Sequence, residues 1–88
     1  MNPNLLIVDD EKPTRDGLRS ALEDRYEVYV AEDSASAIEL LESETFDVLL
    51  TDFRLPNNED GMKLIGRKQV TDMFQMVLLE KGHLLLRV

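Results

Sequence analysis

Residues 4–11 read Asn-Leu-Leu-Ile-Val-Asp-Asp-Glu, and this stretch decides the fold. Leu5–Val8 is an unbroken apolar run that stops at Asp9. A run so short and continuous suits a strand buried on both faces. Downstream, Pro13 and Thr14 open a helix, because proline tolerates a first turn where its missing N–H would be unpaired anyway. Leu18, Ala21 and Leu22 recur at helical spacing, and the segment ends near Asp24. Tyr26–Ala31 reads as a second strand with Val28 and Val30 on one face. Ser34 is the expected cap of a second helix, whose stripe is Ala37, Ile38 and Leu41 with Ala35 and Leu40 beside it. Phe46–Thr51 is a third strand and stops at Asp52. Strands alternating with helices of this length imply right-handed βαβ units and a doubly wound parallel sheet.

Composition bounds the rest. The chain has 88 residues and 43% of them are hydrophobic, which gives one domain with a core and excludes a disordered chain. Eighteen acidic residues against 10 basic ones leave a net charge of −8. Such a surface repels phosphate backbones and anionic lipid, so neither direct nucleic-acid binding nor membrane binding is expected. Cations and basic partners remain suitable. With no cysteine, disulfides, thiolate metal sites and thiol catalysis are excluded. The short apolar run at the start predicts neither a signal peptide nor a membrane span, and hence a cytoplasmic protein.

The charge is uneven. Residues 1–66 sum to −10 and residues 67–88 to +2. Val70, Met73, Phe74, Val77 and Leu78 fall at i, i+3, i+4, i+7 and i+8, with Gly82 as a C-terminal cap after Lys81. This spacing favours one long helix from near Asp60 or Gly61 to about Lys81, then a strand at Leu84–Val88. The alternative makes Gln75–Leu79 a strand in its own right. His83, the only histidine, is expected to sit exposed after the helix end.

The chemistry gathers at two strand ends. Asp9 and Asp10 follow the first strand and Asp52 ends the third. Ligands of open parallel sheets bind outside the carboxyl ends of the strands, where strand order reverses. If these two strands are neighbours, three carboxylates converge, and a hard divalent cation with oxygen ligands would relieve their repulsion. A carboxylate beside such an ion can accept a phosphoryl group. Either aspartate alone would read as a turn cap; both at matching ends favour a metal site. No glycine-rich loop follows the first strand, so a nucleotide phosphate is not expected there.

Leu-Leu-Ile-Val-Asp9-Asp10-Glu11, then Asp47-Val-Leu-Leu-Thr-Asp52-Phe-Arg-Leu-Pro56 and Asp60-Gly61, resemble the response-regulator receiver domain of two-component signalling. The resemblance covers about residues 4–66. It implies a flavodoxin-like fold, incomplete here, with three to four strands and flanking helices. By it, Asp52 matches the phosphoacceptor, and Asp9 and Asp10 match the acidic pair that holds Mg²⁺. The backbone carbonyl of Arg54 matches the third protein ligand. Pro56 and Asp60-Gly61 match the following turn, with one residue more than the commonest spacing. It further implies a phosphorelay module rather than an enzyme, with a sensor histidine kinase as partner.

Two family features are missing: a Ser or Thr ending strand four, and a Lys before a Pro ending strand five. If Gln75–Leu79 were strand four, the hydroxyl position would fall on Glu80. The tail from Arg67 reads like an unrelated continuation of a truncated receiver. Residues 1–66 are therefore expected to form a receiver-like strand–helix–strand–helix–strand unit with the start of a third helix, and 67–88 a divergent tail of helix continuation and short strand. That tail is expected to join two copies into a homodimer, because an incomplete sheet leaves an open edge and the apolar stripe uncovered. An alternative function is a pseudo-receiver acting only as an assembly module. A haloacid-dehalogenase-like phosphatase would need Asp-x-Asp after strand one, and Glu11 stands two past Asp9.

Overall fold

A computed structural model describes residues 2–52, 64, 66, 68–71, 74–80 and 83–88. The elements are β1 (Asn4–Val8), α1 (Lys12–Leu22), β2 (Glu27–Ala31), α2 (Ser34–Ser43), β3 (Val48–Asp52), a short α3 (Lys68–Thr71), β4 (Gln75–Glu80) and β5 (His83–Arg87). One five-stranded sheet runs in the order β2-β1-β3-β5-β4. β1 lies between β2 and β3 and pairs with both in parallel. This is the flavodoxin-like α/β arrangement read from the first half of the chain.

The second half completes the sheet differently. β5 runs antiparallel to β3, and β4 antiparallel to β5. The sheet is therefore mixed, with five strands where three to four were expected. The long helix to Lys81 does not form: α3 stops at Thr71 and β4 starts at Gln75. The strand expected at Leu84–Val88 is present one residue earlier. The helical spacing was real but incidental, since Met76–Leu79 is equally a continuous apolar run. β5 covers the edge of β3, and the outer edge of β5 in turn carries backbone N–H and C=O groups that need partners; β4 supplies them where a helix cannot. Expectations for the turn at Pro56 and Asp60-Gly61, and for the helix start there, lie outside the described residues.

Packing follows strand alternation. Leu6 and Val8 of β1 join Leu49, Phe46, Ala31, Ala37, Leu64, Val70, Phe74, Leu84 and Leu86 in one buried cluster. Leu5 and Ile7, at the alternate positions, are buried as well. β1 is thus covered on both faces, as its apolar run required. Phe46 precedes β3 rather than belonging to it, and its ring meets Tyr29 edge to face at 5.1 Å. Val70 and Phe74 of the expected stripe are buried inside this chain, and the Phe74 N–H closes a turn onto the Val70 carbonyl.

Two helix starts differ from expectation in detail. Asp33, not Ser34, caps α2, and its side chain accepts the Ser36 N–H at 2.8 Å. Ser34 is the first helical residue and is buried. Glu11 precedes α1 without capping through its side chain, and the proline is in the first turn as expected. Leu18 and Leu22 of α1 are half-buried, whereas Ala21 is exposed. The strand starts are tied by Asn4: its N–H donates to Asp47 Oδ2 and its side-chain amide to the Thr45 carbonyl.

Candidate metal and phosphoacceptor site

The parallel register brings the acidic residues together. Ile7 stands beside Leu50 and Val8 beside Thr51, so one step further Asp9 stands beside Asp52. The Asp9 N–H extends the β1–β2 ladder by bonding the Ala31 carbonyl at 3.0 Å. Carboxylate oxygens of Asp9, Asp10 and Asp52 all lie within 4.8 Å of one another. Asp9 is buried, Asp52 is half-buried and Asp10 is exposed. The cluster sits at the carboxyl end of the sheet, where order reverses on either side of β1, which is where such folds bind ligands.

Asp9 is engaged at both carboxylate oxygens. Its Oδ1 accepts the Glu11 N–H at 2.9 Å, and Arg15 donates to its backbone carbonyl at 2.8 Å. Its Oδ2 lies 3.2 Å from His83 Nε2. His83 is therefore not exposed after a helix; it opens β5, directly opposite Asp52, and its side chain is one-third exposed. The signal for this was present. Glu80-Lys81-Gly82-His83 separates the apolar runs Met76–Leu79 and Leu84–Leu86 by four residues that include a glycine, which is a hairpin pattern. Read that way, strand pairing would have carried His83 to the acidic end of the sheet.

The donor set fits a hard divalent cation. Oxygens around Mg²⁺ at 2.0–2.1 Å are separated by about 3–4 Å, so only a small closure of these side chains is required. Asp9, Asp10 and Asp52 are brought together as the sequence implied. Arg54, whose backbone carbonyl is also an expected ligand, lies outside the described residues.

Residues 5–79 match the response regulator receiver domain. The chain belongs to this family. The match extends past residue 66 and includes β4 as far as Leu79. The receiver is similar to the sensor histidine kinase TmoS of Ectopseudomonas mendocina, with 44% identity over 54 residues, 61% of this chain and 6% of that protein. It is also similar to an uncharacterized 14.6 kDa protein in the sodA1 3′ region of Leptolyngbya boryana, with 43% identity over 65 residues. That match covers 73% of this chain and 49% of the relative. The chain thus spans less than half the length of either curated relative. No helix among the described residues is long and apolar enough to cross a membrane.

Proposed function

We propose that this receiver accepts a phosphoryl group on Asp52 from a sensor histidine kinase, with Mg²⁺ held by Asp9, Asp10 and Asp52. The observation that carries the reading is the convergence of three carboxylates at the carboxyl ends of adjacent parallel strands. In the reaction, an Asp52 carboxylate oxygen bonds to phosphorus. The bond from phosphorus to the donor's leaving atom breaks, and its electron pair departs with that atom. The product is an acyl phosphate on Asp52. When bound, the cation would offset the charge of the transferring group. The Arg54 backbone carbonyl is a further proposed ligand.

Transfer is expected to be slow. The family's hydroxyl position aligns with Glu80, at the end of β4, and no Lys-Pro pair follows Asp52. Losing one preorganised charge-stabilising group typically costs about 10²–10³-fold in rate. Acetyl phosphate with Mg²⁺ and intact-mass detection tests this. Slow single phosphorylation that Asp52→Asn abolishes supports the reading. No modification at long incubation, in protein that still binds Mg²⁺, favours the pseudo-receiver alternative instead.

Mg²⁺ binding is tested separately by thermal melting. A ligand that binds only the folded state stabilises it by RT ln(1 + [L]/Kd), about 1.4 kcal/mol at ten times Kd. Mg²⁺ should raise Tm, and Asp10→Ala should abolish the rise. Because Asp10 is exposed, that substitution should leave the metal-free fold intact.

A further inference from the structure

We propose that His83 is the positioning residue for Asp9, so that the cation affinity of the site depends on the C-terminal hairpin. The inference rests on the reading of Asp9, Asp10 and Asp52 as a cation site. Asp9, Asp52 and His83 occupy adjacent positions in one row across β1, β3 and β5. Asp9 follows the Val8–Thr51 pair, and Asp52 is directly opposite His83. Neighbouring strands are about 4.8 Å apart, so the imidazole must span the width of β3 to reach β1. It does so, with Nε2 at 3.2 Å from Asp9 Oδ2.

The chemistry of the contact fixes its direction. A carboxylate oxygen accepts, so Nε2 carries the proton and donates; the neutral imidazole suffices. Asp9 is then held at both oxygens, by the Glu11 N–H on Oδ1 and by His83 on Oδ2. Each oxygen retains a second lone pair for a cation. With only 3% of its side-chain surface exposed, Asp9 has little water to replace a lost donor. Without His83, one oxygen of a buried carboxylate would lose its donor, and the Glu11 N–H on the other oxygen would alone fix its rotation. A partner that orients a metal-ligating side chain typically contributes 10–100-fold to metal affinity. β5 pairs with β3 at the site and with β4 outside it, so the His83 side chain joins the tail to the acidic cluster.

The test is Mg²⁺ titration of the full chain by Tm shift, comparing the parent protein with His83→Phe and His83→Gln. The Gln amide can present a donor where Nε2 stands; Phe fills the space and donates nothing. The expected result is Mg²⁺ binding at least 10-fold weaker in His83→Phe and largely restored in His83→Gln, with similar metal-free melting. Equal Mg²⁺ affinity in a folded His83→Phe overturns the proposal, as does a Gln variant as weak as Phe. If the parent protein itself binds no Mg²⁺, the cation site falls and the proposal with it, an outcome distinct from the other two. A second measurement does not depend on the variants folding. The chain has one histidine, so its ¹⁵N imidazole signals are unambiguous. Nε2 should be protonated in the metal-free protein and should shift on adding Mg²⁺; an unprotonated Nε2 overturns the assignment.

Discussion

Asp33 and Asp9 use the same chemical group in opposite settings. Asp33 is half-exposed at the start of α2, and the Ser36 backbone N–H holds its carboxyl below the usual carboxylate range, helped by the Ser36 side chain. Burial opposes this only weakly. Because the folded value is lowered, the contribution is fully present above the unfolded value near pH 4 and is lost as pH falls through the folded one. Asp33→Ala should cost about 1 kcal/mol at neutral pH, the typical loss for an N-cap. Asp33→Asn keeps an acceptor but cannot titrate. The Tm difference between the parent protein and Asp33→Asn should therefore shrink between pH 5 and pH 3. A difference that stays constant through that range would mean that the cap carboxylate contributes nothing by its charge. Asp16 is also held low, by its hydrogen bond to Lys12 at 2.7 Å, but both side chains are well exposed and the pair is open to screening by salt.

At the scale of elements, α1 and the β4–β5 hairpin carry the tension between local preference and tertiary need. α1 has no fully buried residue and contains Gly17 in its middle. A Cβ built there meets nothing within 4 Å, and the position is exposed. Glycine in a helix interior costs roughly 0.5–1 kcal/mol relative to alanine. Gly17→Ala should thus raise Tm by several degrees, given about 4–8 °C per kcal/mol for a domain of 60–100 residues. Unchanged or lower melting would mean that this helix face is covered in solution. In the hairpin, Leu84 and Leu86 are buried in the common cluster, while Leu85 between them is half-buried on the opposite face. That alternation is the signature of a strand with one well-covered side.

At the scale of the whole molecule, the hairpin changes the case for self-association. The radius of gyration is 11.6 Å, close to the roughly 12 Å expected of a compact chain of this length. All five strands pair within one copy. β3 is not an edge, since β5 covers it; β4 and β2 are the outermost strands. The expected helical stripe does not exist as a seam. Among the described residues of the tail, the β4 edge and Leu85 are open to a second copy. Leu85 stands directly opposite Leu50, also half-buried, while the described helices pack chiefly on β1 and β2. A homodimer through this tail should accordingly be reversible. Sedimentation should show a concentration-dependent monomer–dimer equilibrium, and Leu85→Lys should shift it to monomer while preserving the fold. A monomer at every concentration would remove the dimer from the reading.

The local sequence of residues 4–52 determined the parallel α/β unit and the three carboxylates. Each of its signals agrees with its neighbours: apolar runs that end at acids, a proline in a first helical turn, and a small-residue start to α2. Even there, the choice of Asp33 over Ser34 as cap turned on which side chain could reach the Ser36 N–H, and adjacency in sequence does not reveal that. Residues 70–80 carried a helical period and a strand-like run together, so local preference could not separate them. The outer edge of β5 decided the matter, because its backbone groups are satisfied by β4 and not by a helix, while the inner edge of β5 pairs with β3. Only that pairing, with its register of Asp52 against His83, brings the imidazole to Asp9, since contact between residues 74 positions apart depends on the sheet and not on either neighbourhood.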